Sequence, residues 1–169
     1  MSKESLSDRI DSFSRATGKA TSWLTLLMVI VTVIIVVMRY AFDFGMIWLQ
    51  ESLTWMHAVV FMMGAAWTLQ QDEHVRVDVF FRDMTERQKA TVNLLGVLLF
   101  VFPLCGYIFF EAFDYVQRAW QIREISRDTG GLPYPAIPLL KSVLLLMPLA
   151  LALQGLAMLL RSLQDLRGQ

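Results

Sequence analysis

Apolar residues in this chain gather into four runs, at about 21–38, 46–69, 90–112 and 136–160, separated by shorter charged or glycine- and proline-containing stretches. As helices, runs of roughly 17–25 residues cross the hydrocarbon core of a bilayer. The first run passes straight into RYAF with no A-x-A cleavage pattern, so it reads as a retained span and not as a signal peptide. Before it, residues 1–20 put Leu6, Ile10 and Phe13 on one helical face and Lys3, Asp8, Arg9, Asp11 and Arg15 elsewhere, with a loose capping box at Ser5 and Asp8. This predicts an amphipathic helix that lies on the membrane surface, packs on a partner, or is a solvated helix end. The short connection at 39–45 makes the second span antiparallel to the first. In the third span Pro103 and Gly106 predict a kink, and no breaker precedes Thr129-Gly130-Gly131, which predicts a helical extension over about 111–128. Residues 75–82 alternate in period two, but a lone strand would have no partner, so they read as an interfacial segment or short helix. The pattern predicts an all-α integral membrane protein: an N-terminal amphipathic helix (1–20) followed by a membrane domain of four transmembrane helices (21–169).

The second span is the most polar. It carries Glu51 and His57 and ends in the run QQDEH at 70–74, and polar groups inside lipid need partners. One helical stripe holds Gln50, Thr54, His57, Phe61, Gly64, Thr68 and Gln71; another holds Trp48, Glu51, Trp55, Ala58, Met62, Ala65 and Leu69. The first is too polar and small-residued to face lipid and predicts packing against other helices.

Composition strengthens the membrane reading: 56% of residues are hydrophobic and mean hydropathy is +0.49. Fifteen basic residues balance fifteen acidic ones, so net charge predicts no nucleic-acid partner. Cys105 is the single cysteine, which leaves no disulfide or cysteine-ligated metal site within one chain. Lys3, Arg9, Arg15, Lys19, Arg76, Arg82, Arg87, Lys89, Arg161 and Arg167 fall on one side of the predicted spans. Arg39, Arg118, Arg123, Arg127 and Lys141 fall on the other, an asymmetry that places both termini in the cytoplasm.

Several side chains are candidates for function. Arg39 and Glu51 lie near the same end of neighbouring spans, where a salt bridge would neutralise both and orient the helices or contact headgroups. Trp48 suits the aromatic interface belt. His57 is near mid-membrane; it reads as a hydrogen-bonding group toward a neighbouring helix or as a haem ligand. His74 lies about 25 Å further along a straight helix, so one chain cannot easily supply two axial histidines. His74, Arg76 and Asp78 form a polar cluster suited to lipid headgroups, a partner's loop or a solvated turn. Glu111, Asp114, Arg118, Arg123, Glu124, Arg127 and Asp128 decorate the predicted extension, a wet face that is also the largest outward surface for docking. No Walker loop, nucleophile elbow or metal-ligand spacing is present, and neither catalysis nor a cofactor is expected.

Taken together, RYAF closing the first span, WLQE opening the second and GAAWTLQQDEHVRVDV leading out of it resemble the small membrane subunit of TRAP (tripartite ATP-independent periplasmic) transporters over nearly the whole chain. The resemblance implies a bacterial inner-membrane protein whose partners are a large membrane subunit and a periplasmic solute-binding protein. In such systems the large subunit carries the substrate, an organic acid, with sodium by an elevator motion, while the small subunit steadies it and helps dock the binding protein. By matching position Arg39, Trp48, Glu51, His74, Arg76 and Asp78 are the family's motif residues, implied to be architectural or partner-contacting, with His57 and Gly64 on the same helix. The charged stretch at 111–128 followed by GGLPYPAIPLLK departs from that pattern. Two further classes stand beside this one: a haem-binding membrane anchor of a respiratory oxidoreductase, and a self-sufficient small ion-coupled transporter built around Glu51.

Overall fold

A computed structural model describes residues 6–71 and 81–167. These residues hold four long helices and no strand: α1 (Leu6–Ala41), α2 (Ile47–Gln70), α3 (Glu86–Gln121) and α4 (Ala136–Arg167). Each is long and apolar enough to cross a membrane. The period-two stretch at 75–82 lies almost entirely outside the described residues.

Local signals explain where the helices stop and start. α1 ends where Asp43 takes a left-handed φ of 49° and the Phe44 N–H reaches back six residues to the Met38 carbonyl at 3.0 Å. That is the closure that satisfies late carbonyls of a helix. α3 opens on a capping box between Thr85 and Gln88. Ahead of Pro103 it widens into one π-turn over Val97–Val101, and the Phe102 N–H donates to the Val97 carbonyl five residues back. A residue without an N–H is thus accommodated by a local widening, the device expected at such a site.

The chain does not break between the amphipathic stretch and the first span: both lie in α1. Its polar first turns pack against α4 and α2; Ser7, Ser14 and Gly18 are buried, Ser14 against Gln154 of α4 and Gly18 against Trp67 of α2. The extension predicted over 111–128 stops at Gln121. Arg123 adopts φ 50°, the Glu124 N–H closes onto the Ala119 carbonyl, and the chain turns back toward α2 and α4. Helical propensity is overridden there by tertiary bonds, described below.

α4 is the hub. α1 and α2 pack on each other and on α4, while α3 packs chiefly on α4. In its most apolar window 33% of residues are buried, against 6% in α1 and 11% in each of α2 and α3. Gly155 lets α3 come close, because a Cβ there would lie 3.1 Å from the Val101 side chain. The arrangement is an open bundle. One end carries Leu6 and Arg167; the other carries residues 42–46 and 122–135.

Candidate functional site

At the loop end, Glu51 is an anchor. Its carboxylate accepts hydrogen bonds from the Ser126 hydroxyl and from the Leu132 N–H, the latter at 2.6 Å. Gly131 has to be glycine, since a Cβ would sit 2.6 Å from Ser126 Cβ and 2.7 Å from Glu51 Oε1. The expected Arg39–Glu51 pair is not formed: Arg39 is exposed, and Glu51 turns to residues 75 and 81 positions away in sequence. The physical reason is competition. Two donors from the 122–135 segment already occupy the carboxylate, and charge-assisted bonds of this kind are strong.

Further bonds fix the same segment. Trp55 Nε1 donates to the Ala136 carbonyl at 3.2 Å, and Trp120 Nε1 donates to the Ser142 hydroxyl at 3.0 Å. Lys141 pairs with Glu124 at 2.6 Å, its Nζ 3.9 Å from the centre of the Tyr115 ring. Glu124 therefore faces inward. Glu111, Asp114, Arg118, Arg123, Arg127 and Asp128 are exposed, as is half of Trp48.

On α2 the two stripes differ most at mid-helix. Glu51, Trp55, Ala58, Met62, Ala65 and Leu69 are part-buried within the chain. Thr54 and His57 are exposed, and Phe61 is 76% exposed. A Cβ added at Gly64 would meet nothing within 4 Å. The middle of the polar stripe, Thr54, His57 and Phe61, thus does not pack on this chain's own helices, while Gln50 and Thr68 are part-buried. His57 has no hydrogen-bond or ion-pair partner among the described residues. His74, Arg76 and Asp78 lie outside the described residues.

The structure also joins residues that the sequence reading did not single out. Ser14 donates to Gln154 Oε1, Gln154 Nε2 donates to Asp11 Oδ1, and Asp11 pairs with Arg161 at 3.1 Å. The signal was present: Gln154 interrupts the apolar run LALQGLA, and Ser7, Asp11, Ser14 and Gly18 recur on one face of α1. Such a polar group in a membrane-length run needs a partner.

A protein of this build is a multi-pass helical membrane protein whose polar mid-helix stripe points away from its own core. The chain matches the family described as "Tripartite ATP-independent periplasmic transporters, DctQ component" over residues 28–167 and belongs to that family. It is a small TRAP transporter subunit and a multi-pass inner-membrane protein, and membership implies a complex with a large membrane subunit and a binding protein. No curated protein and no solved structure matches the chain.

Proposed function

We propose that this chain is a non-catalytic scaffold that seats the large transport subunit against the Thr54–His57–Phe61–Gly64 face of α2. Its loop end, residues 122–135, faces the periplasm and contributes to docking the solute-binding protein. Both termini are cytoplasmic, in line with the lysine and arginine asymmetry. Transport is sodium-coupled and the substrate an organic acid, as the family resemblance suggests; both properties reside in the partners. Lipid contacts fall on the exposed apolar faces of α1 and α3. Arg39, Trp48, His74, Arg76 and Asp78 serve architecture or partner contact.

One observation carries the reading: His57 and Thr54 are exposed beside a largely exposed Phe61 and an open Gly64, midway along a membrane-length helix. Polar side chains at that depth are satisfied by another helix, and small residues let it approach. The test is site-specific photocrosslinking in membranes containing both subunits. A crosslinker at position 61 should capture the large subunit, and one at position 100, where Phe100 is 73% exposed on α3, should not. Capture from position 100 alone would reassign the seam to α3.

A further inference from the structure

At the loop end Glu51 and Glu124 are turned inward, and the arginines are left outside. Glu51 holds the segment through Ser126 and Leu132, and Glu124 is spent on Lys141. Arg118, Arg123 and Arg127 are exposed and have no ion pair among the described residues. The exposed acids nearest them are Asp128 and Asp114, the latter one helical turn before Arg118, so that within 118–134 three exposed arginines face one exposed carboxylate. Between the arginines stand Ile122 and Ile125, 64% and 60% exposed. Residues 125–134 line an open groove of about 450 Å³ with Arg127 at its edge.

We infer that residues 118–134 form a fixed arginine-bearing platform that docks an acidic surface patch of the solute-binding protein. This rests on the reading of the loop end as periplasmic, and it adds the chemistry of the contact. One feature favours a protein over lipid headgroups. The platform's backbone is pinned to α2 and α4 through Glu51, Trp55, Lys141 and Ser142, so the positions that carry its arginines and isoleucines are fixed. Arginine on a rigid backbone with adjoining apolar side chains is the composition of protein-contact surfaces.

The test measures binding of the solute-binding protein to the two-subunit complex in nanodiscs, at low and high salt, in zwitterionic and in anionic lipid. The expected result is a loss of at least about tenfold in affinity for Arg118→Glu/Arg127→Glu at low salt, and near wild-type affinity for Arg118→Lys/Arg127→Lys. The wild-type affinity should fall with salt, and all variants should co-purify equally with the large subunit. Wild-type binding by the glutamate variant overturns the platform while leaving the scaffold role intact. A loss confined to anionic lipid assigns the arginines to headgroups and also overturns it. If the wild-type complex fails to bind in every lipid, the docking role itself falls, and the platform with it.

Discussion

Ser14 donates its hydroxyl hydrogen to Gln154 Oε1 at 2.7 Å, joining two helices 140 residues apart in sequence at a point where Gln154 has no exposed surface. Both ends of the Gln154 amide are engaged, since its Nε2 donates to Asp11. Gln154→Leu removes it, strands the buried Ser14 hydroxyl and leaves Asp11 Oδ1 with Arg161 Nη2 as its remaining donor, a cost of about 1–3 kcal/mol. Thermal unfolding of the purified chain in detergent should show the loss. Because the residues act as a network, Ser14→Ala in the Gln154→Leu background should cost less than in the wild type. Additive effects would mean that the two side chains do not depend on one another.

Gly18 and Gly64 predict opposite behaviour for glycines in similar helical settings. A Cβ at Gly18 would run into the Trp67 ring, and one at Gly64 meets open space. Gly18→Ala should destabilise the isolated chain by about 1–3 kcal/mol through overpacking. Gly64→Ala should not, and the same unfolding measurement compares them.

Assembly should reverse that order. A charge at Gly64, as in Gly64→Glu, falls in the proposed seam, whereas Val33→Glu falls on a 55% exposed, lipid-facing side of α1. Co-purification with the large subunit should drop more for the first. Equal recovery of the two variants would remove the α2 face as the seam.

Glu51 should govern the 122–135 segment. Glu51→Ala leaves the Leu132 N–H without its acceptor, and exchange of that amide with deuterated solvent should accelerate by roughly tenfold or more, the rate equivalent of a lost hydrogen bond to a charged group. Glu51→Gln retains an oxygen acceptor and should fall between. Unchanged protection in Glu51→Ala would show that Trp55, Trp120 and Lys141 hold the segment without it.

The four spans were legible because membrane-length apolar runs are a composition signal that no tertiary contact overrides. The polar stripe of α2 was legible as a demand for a partner, but its position facing away from the chain was not. Helical periodicity identifies a face and not what it meets. Glu51 was recognisable as a group in need of neutralisation, yet the nearest arginine or lysine in sequence, Arg39, was the wrong partner. Ser126 and Leu132 reach it only because α3 stops at Gln121, and that stop depends on Arg123 taking a left-handed φ and Glu124 meeting Lys141. Nothing in QIREISR breaks a helix on its own, so contacts across 17 to 81 residues decide it. The Asp11–Gln154 network escaped for the same reason: both halves were visible, and their pairing was not.

The most direct test of the account is uptake of a labelled organic acid into proteoliposomes containing this chain alone, the large subunit alone, or both, each with binding protein and a sodium gradient. The account predicts uptake only with both membrane subunits present. Gradient-driven uptake by this chain alone would contradict the scaffold role and return Glu51 and His57 to candidacy as a transport site.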